Sequence, residues 1–161
     1  MGLGKRLPIS LLRALALSAT LAAAIVVATS REKVNLFGLT LEAKYSDTPS
    51  FKYFVIANII ASVYSLAVLF LPFAGLLGEL ILALDVVITA LLTSSIGAAL
   101  AIAQVGKKGN TQAGWLPICD QVQKYCHRVE IGLITGFVGV IIYLLILLYK
   151  VLNISSFLSK S

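Results

Sequence analysis

The chain is 161 residues long with a formal charge of +6, and it is 59% hydrophobic but only 12% charged, against roughly half and roughly a quarter in an ordinary soluble domain. At a mean hydropathy of +0.98 a soluble fold of this size cannot hide its apolar side chains, because its surface-to-volume ratio is too high, and a disordered chain would be poor in Leu, Ile, Val and Phe. Two cysteines and one histidine exclude a disulfide-dense scaffold and a histidine-rich metal site, so the solvent of this protein is lipid.

A hydrocarbon core of about 30 Å takes about 20 apolar residues in a helix, and four stretches meet that length. The first, about residues 9–29, is interrupted by Arg13. Lys5, Arg6 and the small residues near Ala28 imitate a secretory signal, but an arginine inside the apolar run argues against cleavage, and the span is read as permanent. The loop 30–52 holds two turn-rich segments, 35–38 and 47–50, and the alternation over 39–45 suits a short strand. The second span, about 53–71, is closed by Pro72. Residues 72–75 form a tight uncharged turn, which makes spans two and three antiparallel neighbours. The third span, about 76–104, carries Glu79 and Asp85. The loop 105–128 opens with Gly106-Lys107-Lys108-Gly109-Asn110 and passes Trp115, an interface anchor, and Pro117 to Cys119 and Cys126. The fourth span is about 129–152. Since no span alternates like a strand, each is a helix. The expected fold is an all-α integral membrane bundle of four transmembrane helices, up-down-up-down. It forms one domain over residues 1–161, with two longer loops on one side.

Orientation is contested within the chain. The side holding both termini and the short turn has 5 Lys and Arg, while the two long loops have 8, so the positive-inside rule read naively puts the loops in the cytoplasm. Lys5 and Arg6 beside the dominant first helix vote the other way. So do the two cysteines, which need an oxidising compartment if they are bridged. The expectation is cytoplasmic termini, with loops 30–52 and 105–128 outside. The Asn153-Ile154-Ser155 glycosylation pattern then faces the cytoplasm. The cations are scattered without a basic stripe or stacking platform, so no nucleic acid is expected; juxtamembrane lysines near anionic lipid headgroups account for them.

Arg13 and Asp85 stand out, because ionisable groups inside a span are costly and rarely left alone. Spans one and three cross in the same direction. Measured from Pro8 and Gly75, Arg13 lies roughly 8 Å and Asp85 roughly 15 Å deep at helical rise. An extended arginine covers the difference, and an Arg13–Asp85 structural ion pair is expected, with Glu79 as a competing partner. The alternative function is an ion or solute permeation or carrier protein using Asp85. Such a carrier should show broken helices and inverted repeats, and the sequence displays neither. No nucleophile–base pair, phosphate loop or metal-ligand cluster points to catalysis, so no enzyme, cofactor, metal or small-molecule substrate is expected.

Helix association in lipid depends on small residues that admit close backbone approach. They recur at four-residue spacing: Ser18 and Ala22; Ala57, Ala61 and Ser65; Ala90, Ser94 and Ala98; and a literal GxxxG at Gly132 and Gly136, with Gly139 beyond. The span-four glycines serve either the inside of the bundle or a face between protomers. On a continuous helix Cys119 and Cys126 would have Cα atoms about 10 Å apart, too far for a bridge. A disulfide therefore requires a turn between them. Free thiols are an alternative, as is a metal site with His127 and Asp120, although that set matches no zinc pattern well.

The string Ala43-Lys44-Tyr45-Ser46 leading to Phe51-Lys52-Tyr53-Phe54-Val55-Ile56-Ala57-Asn58 resembles the plant CASP-like proteins, relatives of the Casparian strip membrane domain proteins. Leu84-Asp85, Leu91-Leu92-Thr93-Ser94, Val105-Gly106-Lys107-Lys108-Gly109-Asn110, Trp115, Cys119 and Cys126 fall in the same pattern. The resemblance covers about residues 13–149. It implies a four-span plasma-membrane protein with cytoplasmic termini, distantly akin to MARVEL-domain proteins, in which Arg13 and Asp85 match the family's intramembrane arginine and aspartate. It also implies homo-oligomers and hetero-oligomers with related four-span proteins, which organise membrane domains and recruit wall-modifying enzymes. The first long loop lacks the short aromatic, Pro-containing signature of members that build the Casparian strip, so the broader scaffold role is what carries over. The short termini leave little room for cytosolic partners.

Overall fold

The structure is a computed structural model that describes residues 3–36, 39–71 and 76–158. The tight turn expected at 72–75 and the tip of the turn-rich segment 35–38 lie outside the described residues. The elements are α1 (Leu3–Ala28), β1 (Arg31–Leu36), β2 (Leu39–Lys44), α2 (Pro49–Phe70), α3 (Leu76–Lys108) and α4 (Gln123–Leu158). All four helices are long and apolar enough to cross a membrane.

Helix ends and lipid boundaries do not coincide. Pro8 lies inside α1, which begins at Leu3. α3 continues past residue 104 to Lys108, and α4 begins at Gln123 rather than near 129. Polarity marks where lipid ends, whereas backbone hydrogen bonding continues until something stops it. For α3 that stop is Gly109, at φ 68, the left-handed conformation that closes helices. A Cβ there would meet the Trp115 carbonyl at 2.7 Å. α2 starts on Pro49 after an extended Thr48, a proline placed where its missing N–H costs nothing.

α1 packs against α2 and α4, and α3 packs against the same two from the other side, leaving α1 and α3 across the diagonal. Contacts run antiparallel: Gly132 meets Val27 while Gly139 meets Thr20, and Tyr53 reaches Ser94 while Tyr64 reaches Ile81. The inward stripes step by three and four, as in Arg13, Ala16, Thr20, Ala23 and Val27 on α1, and Ile81, Asp85, Ile88, Leu92 and Ala99 on α3. That seven-residue rhythm is the seam of a left-handed bundle.

On the loop side β1 and β2 form an antiparallel hairpin, pairing Arg31 with Lys44 and Leu36 with Leu39. Only the second strand is signalled by alternation; β1 is half charged and takes its conformation from pairing. Glu42 lies between Lys33 and Lys44, and the Lys44 contact holds its carboxyl below the usual range. Glu32 fastens the hairpin to the bundle by accepting the Tyr125 backbone N–H at 2.9 Å, a carboxylate at the positive end of α4.

Candidate functional site

The structure brings Arg13 and Asp85 together across the bundle diagonal. Arg13 enters on α1 about 10 residues from its start and Asp85 on α3 about 9 from its start, which puts both near 15 Å at helical rise. The guanidinium Nη2 donates to both carboxylate oxygens, at 2.5 and 2.6 Å, and both side chains are 0% exposed. Glu79, the competing partner, is exposed, because the helical turn that carries Asp85 inward carries Glu79 outward.

Three further groups complete the site. Lys150 Nζ donates to Asp85 Oδ2 at 2.7 Å from α4, with its side chain 11% exposed. The Tyr64 hydroxyl of α2 lies 2.8 Å from Asp85 Oδ1. All four helices therefore converge on one carboxylate, and charge-assisted bonds of this kind are the strong ones. Arg13 Nε and Nη1 have no hydrogen-bond partner among the described residues. Two aromatic faces lie beside them instead, with the Arg13 Cζ 5.3 Å from the Tyr64 ring centroid and 6.0 Å from that of Tyr143. A desolvated cation over a tyrosine face is stabilised by the ring quadrupole. Tyr143 is held in turn: its hydroxyl donates to the Ala61 carbonyl at 2.8 Å and lies 2.6 Å from Ser65 Oγ.

In the sequence Lys150 is one of the scattered cations assigned together to anionic headgroups. A finer signal exists in the helical stripe. Gly132, Gly136, Gly139, Tyr143, Ile146 and Lys150 follow one face of α4 at steps of three and four, so a lysine completing an inward face is an inward lysine.

The remaining candidate residues separate into distinct roles. A Cβ on Gly136 would meet Phe54 Cζ at 2.5 Å, one on Gly132 would fall on the Val27 side chain, and one on Gly139 would meet Thr20 Cγ2 at 3.2 Å. The span-four glycines thus admit α1 and Phe54 within the bundle. Cys119 and Cys126 are bridged, with Cα atoms 5.7 Å apart. The required turn is present, because Gln121 and Val122 donate back to the Ile118 carbonyl and α4 starts only at Gln123. Trp115, with Leu116 and Ile118, is exposed on the same loop. Among the described residues no three His, Cys, Asp or Glu side chains come together to hold a metal ion.

Four long apolar helices locked by a buried carboxylate and its cations define an integral membrane protein with four spans. The Casparian strip membrane protein domain matches residues 4–142, and the chain belongs to that family. It is 57% identical over 158 residues to CASP-like protein 1C3 of Populus trichocarpa, covering 98% of this chain and 92% of that protein. It is 61% identical over 140 residues to CASP-like protein 1C2 of Vitis vinifera, 87% of each. CASP-like protein 1C1 of Arabidopsis thaliana is 56% identical over 148 residues, 92% of this chain and 90% of the relative. No solved structure matches.

Proposed function

We propose that this protein is a non-enzymatic plasma-membrane scaffold. It associates with itself and with related four-span proteins, organises membrane domains, and through them directs local cell-wall modification. The observation that carries this reading is the coordination of Asp85. The carboxylate is fully buried, and both its oxygens are taken by Arg13, Lys150 and Tyr64, so it acts as the hub of a rigid bundle. A permeation role would need that carboxylate to exchange partners with a passing ion. Self-association falls to α3, where Ala90, Ser94, Gly97 and Ala101 face lipid and a Cβ on Gly97 would meet nothing within 4 Å. The partners are lipid and other four-span chains. The bridged cysteines favour loops in an oxidising space and termini in the cytoplasm.

A tagged copy in plant cells is expected to recover slowly after photobleaching, and Gly97→Cys to crosslink to itself where Gly136→Cys does not. Rapid recovery together with a monomer at every crosslinking position overturns the scaffold. Flux in liposomes that disappears in Asp85→Asn establishes permeation instead.

A further inference from the structure

We infer that the loop-side groove between the end of α3 and the start of α4 binds a membrane sterol, a rigid and neutral amphiphile with one hydroxyl. The inference stands apart from the scaffold reading. The groove has a volume of about 480 Å³, within the range of small-molecule sites. Phe51 and Tyr125 form its floor, edge to face at 6.5 Å.

Polarity changes along its length. At the deep end Leu100, Leu133 and Ile134 line it, and at the shallow end Lys107, Gln123 and Glu130 do. An occupant therefore lies parallel to the helices, with a polar head where they leave the lipid. The charges select the head. Lys107 is already held by Glu130 at 3.3 Å, and Asp120 adds a second carboxylate to the lining. With Lys107 taken up by Glu130, the lining, which also holds the His127 imidazole, keeps no unshared fixed cation for a phosphate headgroup. A hydroxyl can donate to Glu130 while accepting from Lys107, which answers both members of the pair.

The walls select the body. The α3 wall presents Ala103, a shallow surface that suits a flat fused-ring face, with Gly106 beyond it covered by Ile118 and Cys119, and from Leu100 to Lys107 it runs about 10 Å at helical rise. The Cys119–Cys126 bridge lies in the lip and pins the loop that closes one side. A preformed slot favours an occupant that loses little freedom on entry, which a ring system satisfies better than a flexible acyl chain.

The test uses the full-length, disulfide-bonded protein in phosphatidylcholine vesicles with a photoreactive sterol, followed by mapping of the adducts. A phosphatidylcholine carrying the same photoreactive group on an acyl chain runs in parallel. Sterol adducts are expected to concentrate on residues 100–107 and 123–134 and to be competed by unlabelled sterol. Ala103→Phe, which fills the slot, should abolish them. Glu130→Leu should weaken binding about fivefold, the worth of one ordinary hydrogen bond. Retention of the disulfide and of the thermal midpoint shows that each variant is folded; if Ala103→Phe is not, Ile134→Trp on the lipid-facing rim blocks the same groove. Adducts spread evenly over the four helices overturn the site. So do sterol adducts unchanged by a folded groove-filling variant, and so does equal labelling of the same residues by the acyl-chain probe, which identifies ordinary surrounding lipid.

Discussion

Replacing Asp85 with asparagine removes the one anion from a buried cluster that contains two cations. Arg13, fully buried, is then left without a counter-ion and out of reach of bulk solvent, and breaking a buried pair from one side costs about 3–5 kcal/mol. The loss belongs at the upper end of that range, because the same oxygens also anchor Lys150 and Tyr64. Lys150→Met differs in kind. It leaves the two Arg13–Asp85 hydrogen bonds in place and balances the cluster's charge, and an apolar side chain of similar length suits the site, so the change is within about 1 kcal/mol. Arg13→Met falls between, since the Lys150–Asp85 contact survives while two bonds and two ring contacts are lost. In thermal unfolding of the detergent-purified protein at neutral pH, Asp85→Asn is expected to lower the midpoint on the order of 10 °C, and Lys150→Met by a few degrees at most. If Lys150→Met is as damaging as Asp85→Asn, the carboxylate is not the hub and the charge argument fails.

The same geometry governs a charge swap. Arg13→Asp with Asp85→Arg places an arginine beside Lys150, so surface expression should stay low, and adding Lys150→Met should raise it; recovery by the double swap alone would remove Lys150 from the site. Gly136→Ala should cost about 1–3 kcal/mol by overpacking, because the fully buried Phe54 must move. Gly97→Ala should cost nothing or gain up to about 1 kcal/mol of helix propensity, and equal melting points for the two would refute the packing assigned to α4. A maleimide mass tag should add to no cysteine until reductant is supplied, and then to both. Losing this bridge, which closes a loop of about 8 residues, should cost about 2–3 kcal/mol, measured as a lower midpoint in Cys119→Ser with Cys126→Ser.

Much of this protein is legible in one dimension. Composition alone names lipid as the solvent, and the length of each apolar run follows from the thickness a helix must cross with every backbone group satisfied internally. Arg13 and Asp85 are visible because charge in hydrocarbon is conspicuous, but counting from Pro8 makes Arg13 too shallow, because α1 begins earlier, at Leu3. What one dimension conceals is facing. In water, a helix advertises its inner side by contrast with a polar outer one. Here Leu92, which is buried, and Val87, which is exposed, are equally apolar, so the contrast that would orient them is missing. Only the packed bundle decides that the α4 stripe ending in Lys150 is the one that faces Asp85, that Glu79 turns out, and that Gly136 serves Phe54 rather than a second chain. The hairpin and the cysteine turn belong with these, since β1 becomes a strand only beside β2, and Cys126, in the first turn of α4, reaches Cys119 only because the chain turns just before that helix begins. Burial of a segment is a property of that segment and its solvent, whereas a partnership between side chains is a property of two segments, and it exists once tertiary structure has brought them together.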